Sequence, residues 1–231
     1  MAPLSLVLFD IDGTLLNSGG SGRRAMSQAA SELFGRADLF DGLSFAGAVD
    51  SAIVTLALES AQLPPTPRRV GRLRARYSRR LIRGLKAHKG EACPGVRAAV
   101  EAVRLKAEVG LLTGNWREGA RAKLAAHGLS DLFDGCVGAY GGDAMDRNHL
   151  LPVAFHRACR RWGEVDRVIV VGDTPADVRC AQAGAAVLTG TQVVSVAVET
   201  GFASADELRA SGPDHQVQDL VAGLSTLLAQ L

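Results

Sequence analysis

Three short apolar stretches of the sequence each end in side chains that could bind a metal ion or a phosphate group. In chain order these side chains are Asp10 and Asp12, then Thr113 and Asn115, then Asp173 and Asp177. Ligands of open parallel sheets bind outside the carboxyl ends of the strands. If the three stretches are strands of one such sheet, we expect the six side chains to meet at one edge and form a single site.

Asp10 and Asp12 directly follow an apolar run and are two residues apart, so their carboxylates would repel each other without a cation between them. A hard divalent cation prefers oxygen ligands, and Mg²⁺ is the common choice where phosphate is also bound. Asp173 can supply a further carboxylate from another strand. Because metal charge and in-line positioning allow a carboxylate to attack a phosphate ester, the cluster indicates covalent aspartyl-phosphate chemistry.

The elements that must position these residues alternate between apolar strands and helices. We predict strands at residues 4–9, 108–112, 167–171 and 193–198, with weaker or shorter ones at 135–139, 185–188 and around Val217. We predict helices at residues 117–127, 151–162 and 174–183, each closed by a glycine, and further helices at 204–210 and 219–231. This alternation predicts an α/β fold with a doubly wound parallel sheet.

The segment between the first two strands has helical periodicity and no convincing strand. Helices are predicted at residues 21–34, 50–61 and 67–86, with Asp50 and Thr66 as N-caps and Pro67 in the first turn. Glycines at both ends of the segment suit hinges. We therefore predict a catalytic core formed by residues 1–18 and 91–231, and a helical cap domain formed by residues 19–90.

Three motifs resemble those of the haloacid dehalogenase-like (HAD) hydrolase superfamily. They are Asp10-Ile-Asp-Gly-Thr-Leu-Leu16, Leu111-Leu-Thr-Gly-Asn115 and Val171-Gly-Asp-Thr-Pro-Ala-Asp177. Their order and their positions at strand ends agree with the family over nearly the whole chain, with the cap inserted between the first two motifs. The overall layout is most similar to that of the phosphoglycolate phosphatase and β-phosphoglucomutase branch. The resemblance implies a Rossmann-like core, Mg²⁺ as the cofactor and a small phosphorylated metabolite as the partner.

The resemblance also implies a role for each motif residue. Asp10 would be the nucleophile and a metal ligand, and Asp173 would be a second metal ligand. Asp12 would protonate the leaving alcohol, activate the hydrolytic water and bind Mg²⁺ through its backbone carbonyl. Thr113 would bind the transferred phosphoryl group together with the backbone N–H groups of its neighbours Gly114 and Asn115.

The sequence departs from the family pattern at the third motif, which supplies a basic residue. The family's third motif is usually a lysine, and no lysine follows Lys123 in this chain. Arg147 is the basic residue in the corresponding place, and its guanidinium can supply the same positive charge in a bidentate form. Asp177 would support this basic residue or a metal-bound water.

The function implied is that of a magnesium-dependent phosphatase that hydrolyses a small phosphomonoester, phosphoglycolate-like or a sugar phosphate, through an aspartyl-phosphate intermediate. A phosphosugar mutase would use the same motifs, and a non-catalytic binding protein is a third alternative. The resemblance to the family also implies four candidate substrate-facing positions in the cap segment: Arg23, Arg24, Phe45 and Gly47. Trp116, which follows the second motif, would either line the pocket or pack in the core.

Composition limits the remaining possibilities. The 231 residues carry a net charge of +2, and the four cysteines form no Cys-x-x-Cys pair, so neither a zinc site nor a disulfide scaffold is expected. Residues 68–83 hold many arginines, which we interpret as a solvated helix face, and we expect no nucleic-acid partner. No signal peptide or membrane span is evident, so we expect a cytoplasmic monomer or homodimer.

Overall fold

The computed structural model of the chain describes residues 3–231. The strands are β1 Ser5–Phe9, β2 Leu16–Asn17, β3 Glu91–Ala92, β4 Glu108–Leu112, β5 Val137–Ala139, β6 Arg167–Gly172, β7 Gln192–Val198 and β8 His215–Val217. The helices are α1 Ser21–Phe34, α2 Asp50–Ser60, α3 Pro67–Ala87, α4 Val96–Arg104, α5 Arg117–Ala126, α6 Leu150–Trp162, α7 Pro175–Val187, α8 Ala205–Ala210 and α9 Leu224–Ala229. Short 3₁₀ turns occur at Ser130–Phe133 and Arg147–His149.

Six strands form one parallel sheet in the order β5-β4-β1-β6-β7-β8. The chain adds β4 and β5 on one side of β1 and then returns to add β6, β7 and β8 on the other side. The carboxyl ends of β1, β4 and β6 therefore lie side by side where the strand order reverses, which is the expected place for a ligand. The predicted α/β fold with a doubly wound parallel sheet is confirmed.

Strand β1 shows why the sheet is covered on both faces. Val7 and Phe9 belong to a core shared with α4, α5 and α9, whereas Leu6 and Leu8 point to the opposite face and pack with α6 and α7. Because alternate residues of a strand point to opposite faces, a continuous apolar run buries both of them. Packing on both faces of the sheet therefore fixes β1, and with it the position of Asp10, the residue that follows the strand.

Helices α1, α2 and α3 pack around a cluster of their own, which also takes in Trp116. Helix α3 begins at the predicted N-cap Thr66, whose side chain accepts a hydrogen bond from the Arg69 backbone N–H. Its buried stripe is Leu73, Tyr77, Leu81 and Leu85. Its arginines lie outside this stripe, and several of them pair with acidic residues, namely Arg76 and Arg80 with Glu32 and Arg74 with Glu118.

A two-stranded antiparallel ribbon brackets this helical segment. Leu16 pairs with Ala92 and Asn17 pairs with Glu91, so the chain enters and leaves the segment at neighbouring points. The ribbon needs Gly90, since a Cβ there would lie 1.8 Å from the Asn17 carbonyl oxygen. The division into a core and a cap at residues 19–90 stays a prediction, and this packing is compatible with it.

Several sequence-based boundaries are wrong. The strand predicted at 185–188 does not form, because α7 continues through these residues to Val187. Gly184, interpreted as the end of that helix, lies inside it and packs closely against Leu151 of α6. Asp50 is the first residue of α2 and not its N-cap, and the closing helix covers only Leu224–Ala229. Among residues 3–231, no helix combines the length and the apolar character that crossing a bilayer requires.

The contact at Gly184 predicts opposite effects for two glycine substitutions. A Cβ at Gly184 would lie 2.2 Å from Leu151 Cδ2, so we expect Gly184→Ala to lower the free energy of unfolding by about 1–3 kcal/mol through overpacking. Gly71 in α3 has open space around it, so Gly71→Ala should raise the same quantity by up to about 1 kcal/mol. Urea unfolding of both variants tests this, and stabilisation by both would contradict close packing at Gly184.

Candidate active site

The carboxyl edge of the sheet faces helices α1–α3 across a cavity of about 330 Å³. Of the eight residues that the sequence motifs single out, five line this cavity: Asp10, Asp12, Gly114, Asn115 and Arg147. The other three, Thr113, Asp173 and Asp177, are buried beneath it. The predicted convergence at one edge is therefore present in the structure.

Asp10 follows β1 at the base of the cavity and is only 6% exposed. Its backbone N–H donates to the Val171 carbonyl of β6, which extends the strand pairing up to the site. Its Oδ2 lies 3.3 Å from Nη2 of Arg147, and its buried Oδ1 has no hydrogen-bond partner among the described residues. Burial raises the pKa of Asp10 to about 6, although Arg147 opposes this shift. A buried and unpaired carboxylate oxygen of this kind is costly unless a ligand or an ion completes the site.

Asp10, Asp173 and Asp177 each offer a carboxylate oxygen within 4.8 Å of the others. Asp173 is fully buried and accepts hydrogen bonds from the Thr14 hydroxyl at 3.1 Å and the Phe202 backbone N–H at 3.0 Å. Burial, followed by the charges of Asp177 and Asp10, raises its pKa well above the usual value. Because three carboxylates share one buried place, a hard cation with oxygen ligands fits this donor set.

Two glycines make room for Asp173. A Cβ at Gly13 would lie 2.2 Å from Asp173 Oδ2, and one at Gly201 would lie 1.7 Å from the same atom. Gly13 also has a positive φ of 86°, which L side chains rarely adopt. The hydroxyl of Thr200 donates to the Gly13 carbonyl at 2.6 Å, so the loop after β7 closes over the loop after β1.

Arg147 links two of the buried carboxylates. It lies in a 3₁₀ turn, is 6% exposed, and pairs through Nη2 with both Asp10 and Asp177. Asp177 also caps α7, because its carboxylate accepts hydrogen bonds from the backbone N–H and hydroxyl of Thr174 at 3.0 and 2.7 Å. The capping bonds fix the Asp177 carboxylate, which in turn holds the guanidinium beside Asp10.

Asp12 has a different environment from Asp10. Its Oδ1 accepts a hydrogen bond from Ser18 at 3.0 Å, and its Oδ2 accepts one from Asn115 Nδ2 at 2.8 Å and another from Lys123 Nζ. Burial would raise the pKa of Asp12, but the charge of Lys123 and these hydrogen bonds outweigh it, so the pKa is lowered. The Asp12 carboxylate lies outside the group of three carboxylates described above.

Lys123 is the site residue that sequence reasoning missed. It is 4% exposed, although lysines are almost never fully buried unless they are paired. The signal for it was its position on α5, between Ala120 and Leu124 on the face that packs into the core. A lysine on the buried face of a helix that follows the second motif indicates a partner in the site.

The wall opposite the sheet begins at Asp50, the first residue of α2, which is 7% exposed. Its carboxylate accepts a hydrogen bond from the Trp116 backbone N–H at 2.7 Å, and its own N–H donates to the Gly114 carbonyl at 2.8 Å. The Trp116 indole donates to Ser51 at 2.8 Å, and its ring packs edge-on against Tyr77. Trp116 is thus a core residue that joins α2 and α3 to the second motif.

Gly114 is required at this junction. A Cβ at Gly114 would lie 1.9 Å from the Ala48 carbonyl oxygen, which belongs to the loop before α2. The backbone of the second motif therefore approaches the helical segment more closely than any side chain would allow.

Of the four cap residues expected to face a substrate, Arg23, Phe45 and Gly47 line the cavity and Arg24 does not. Arg24 instead donates to the Gly19 carbonyl and the Ser21 hydroxyl. The Arg23 guanidinium lies 4.2 Å from the Phe45 ring centroid and donates to the carbonyls of Phe40 and Leu43. Within residues 3–231, Arg23 forms no ion pair with a carboxylate, so its charge remains available to an anion.

A doubly wound sheet that gathers buried carboxylates and a guanidinium at its carboxyl edge has the layout of an α/β enzyme. Residues 4–184 match the family described as haloacid dehalogenase-like hydrolase, and residues 150–223 match a HAD-hydrolase-like family. The first match spans most of the chain, so this protein belongs to the haloacid dehalogenase-like hydrolases. The resemblance inferred from the three motifs is confirmed.

Individual relatives point to one branch of that family. The chain is 27% identical to a phosphoglycolate phosphatase of Cereibacter sphaeroides (strain ATCC 17029 / ATH 2.4.9) over 77% of its length and 80% of the relative. A crystal structure of a predicted phosphoglycolate phosphatase from Haemophilus somnus 129pt is similar with a TM-score of 0.66, 19% identity and 99% coverage of both chains. CbbY from Rhodobacter sphaeroides, in complex with phosphate, is similar with a TM-score of 0.70, 18% identity, and coverage of 95% and 96%. These two structures support the fold.

The burial of Asp50 predicts a stability effect that depends on pH. Burial raises the pKa of Asp50 to about 6. Because the carboxyl group ionises more easily in the unfolded chain than in the folded protein, the free energy of unfolding falls as the pH rises from about 4 to 6. Asp50→Asn keeps an acceptor for Trp116 and removes this cost. We expect its free energy of unfolding to equal the wild-type value near pH 4 and to exceed it by up to about 3 kcal/mol above pH 6.

Asp143 provides the control with the opposite sign. Partial burial raises its pKa, but hydrogen bonds from Arg157 outweigh this and lower it. Asp143→Asn should therefore lose stability above pH 4, where the carboxylate is ionised. Urea unfolding between pH 4 and pH 8 measures both variants, and a pH-independent difference for Asp50→Asn would contradict burial as the cause.

Proposed function

We propose that this hydrolase is a magnesium-dependent phosphatase that hydrolyses a small phosphomonoester through an aspartyl-phosphate intermediate on Asp10. The observation that carries the proposal is the Asp10 carboxylate, which is buried beside Arg147 with one oxygen unpartnered among the described residues, at the base of a cavity. Such an oxygen is free to form a bond, while the guanidinium can stabilise negative charge that develops on the phosphoryl group.

The residues around Asp10 supply the steps of the reaction. Asp10 attacks phosphorus, the ester P–O bond breaks, and Asp12, which must first bind a proton against its lowered pKa, gives that proton to the leaving alcohol oxygen. Asp12, now a carboxylate, takes a proton from a water whose oxygen attacks phosphorus. The Asp10–phosphorus bond then breaks, and inorganic phosphate and the original carboxylate are released. Thr113, Gly114 and Asn115 bind the phosphoryl oxygens during both steps.

The carboxylate group at the edge of the sheet fits Mg²⁺, because the unpartnered Asp10 oxygen and the two neighbouring carboxylates form a donor set of oxygens alone. Asp10 and Asp173 would hold the ion with their side chains, and Asp12 with its backbone carbonyl. The bound ion would offset the charge of the phosphate against that of the carboxylates. Asp177 would support Arg147, consistent with their ion pair.

Arg23 supports a substrate with a second anionic group. It lines the cavity, is held by backbone carbonyls, and has no carboxylate partner among the described residues, so its charge can reach a ligand. A phosphoglycolate-like carboxylate or a second phosphate would use that charge. The curated relatives named phosphoglycolate phosphatases support the first choice. Residues 19–90, acting as a cap, would shield the reacting groups from bulk water.

The replacement Asp10→Asn tests the nucleophile. We expect phosphate release from phosphoglycolate, hexose phosphates and p-nitrophenyl phosphate to fall by at least about a thousandfold, because the attacking oxygen is lost. Thermal unfolding should show an intact fold, since removing a buried charge with a raised pKa does not destabilise the protein. Chelation of Mg²⁺ should abolish wild-type release, and its return should restore it.

Activity near the wild-type level in Asp10→Asn would contradict the assignment of Asp10 as the nucleophile. Formation of an isomerised sugar phosphate without free phosphate would indicate that the protein is a phosphosugar mutase. No turnover of any compound by the wild type would favour a binding role.

Adjacent arginines provide a matched test of the substrate class. Arg23→Ala should raise KM for phosphoglycolate about 10- to 100-fold, because a charge-assisted hydrogen bond is lost, while KM for p-nitrophenyl phosphate stays nearly constant. Arg24→Ala is the control, since Arg24 points away from the cavity toward Gly19. Steady-state kinetics on both substrates measure the effect. Equal changes in the two variants, or for the two substrates, would argue against Arg23 as an anion-binding residue.

A further inference from the structure

Lys123 closes a ring of three hydrogen bonds around one oxygen of Asp12. Its Nζ donates to Asp12 Oδ2 and, at 2.6 Å, to Asn115 Oδ1, while Asn115 Nδ2 donates to the same Asp12 oxygen at 2.8 Å. Ser18 holds the other Asp12 oxygen at 3.0 Å. The carboxylate of Asp12 therefore cannot rotate without breaking a charge-assisted bond.

The ring is anchored on rigid backbone. Lys123 projects from the buried face of α5, and Asn115 is fixed because its Nδ2 also donates to the Thr113 hydroxyl at 2.9 Å. On the other side, Gly22 in the first turn of α1 is a neighbour of the ammonium group, since a Cβ there would be in ordinary contact with Lys123 Nζ at 3.6 Å. The ammonium group therefore lies next to α1, while its hydrogen bonds go to Asp12 and Asn115.

The two carboxylates of the first motif, Asp10 and Asp12, each pair with a different cationic side chain. Arg147 faces Asp10 and leaves one oxygen of that carboxylate unpartnered among the described residues. Lys123 faces Asp12, whose two oxygens both accept hydrogen bonds. A nucleophile needs a free oxygen, whereas a group that must meet the leaving alcohol needs a fixed direction.

We propose that Lys123 is a positioning residue that, together with Asn115, orients Asp12 toward the oxygen of the leaving alcohol. This inference rests on the proposed function, in which Asp12 protonates that alcohol. In this role Lys123 acts through Asp12 and Asn115, to which its Nζ donates, and not on phosphorus itself. Loss of Lys123 should therefore slow the departure of a poor leaving group, which needs a proton, and leave the departure of a good leaving group nearly unchanged.

Leaving-group dependence tests the proposal. The constant kcat/KM covers the steps up to release of the alcohol, and an alkyl phosphate needs protonation there, whereas p-nitrophenyl phosphate does not. We expect Lys123→Met to lower kcat/KM for an alkyl phosphate about 100-fold and for p-nitrophenyl phosphate less than about threefold. Asp12→Asn should show the same pattern more strongly, and the double variant should be no worse than Asp12→Asn alone.

Two further variants keep the test decisive. Arg121→Met is the matched control, because Arg121 lies on α5 but is exposed, and it should leave both constants unchanged. Lys123→Gln retains an N–H donor, so its loss on the alkyl phosphate should be smaller than that of Lys123→Met while keeping the preference for the aryl substrate. Thermal unfolding of each variant confirms that the fold is intact.

The outcomes separate this inference from the proposed function. Equal losses on both substrates, or additive losses in the double variant, would overturn the role of Lys123 while Asp10 and Asp12 still proved essential. Turnover that survives in Asp10→Asn would instead overturn the proposed function itself.

Discussion

Four buried or partly buried carboxylates crowd the carboxyl edge of the central sheet, and their mutual repulsion is the constraint on which the rest of the site depends. Asp10, Asp12, Asp173 and Asp177 lie there with two buried cations between them. Burying charge is costly unless each group finds a partner, so the positions of the cations decide which carboxylate stays reactive. Burial, and after it the charge of the neighbouring carboxylates, raises the pKa values of Asp10 and Asp173. The same concentration of carboxylates is why a divalent cation fits.

The two cations are held by different parts of the structure. Arg147 is fixed by Asp177, which is itself tied to the start of α7, so its position is set within the sheet and its connecting helices. Lys123 is held by Asp12 and Asn115, where α5 meets the first turn of α1. Asp50 and Trp116 stabilise that junction.

The sequence predicted the sheet and the convergence of the motifs because fully buried parallel strands leave continuous apolar runs, and because strand ends meet at a known edge. It failed where tertiary packing overrides a local signal. Gly184 has the pattern of a helix end, but it is the place where two helices touch, so the helix continues through the residues predicted as a strand. Lys123 was missed because a single lysine in a helix is usually exposed, and only the neighbouring Asp12 and Asn115, distant in sequence, explain its burial.

The β2–β3 ribbon gives the helical segment the properties of an exchangeable module. Because Asn17 and Glu91 are paired, the two ends of the segment are neighbours, and a different insert with adjacent ends could be joined at the same two points of the chain. Such an exchange is constrained by the contacts between the segment and the loops of the sheet, where Gly114 meets the Ala48 carbonyl and where Trp116 donates to Asp50 and Ser51. Evolution or engineering of new substrate choice on this scaffold has to preserve these contacts while it varies the residues of the insert that line the cavity.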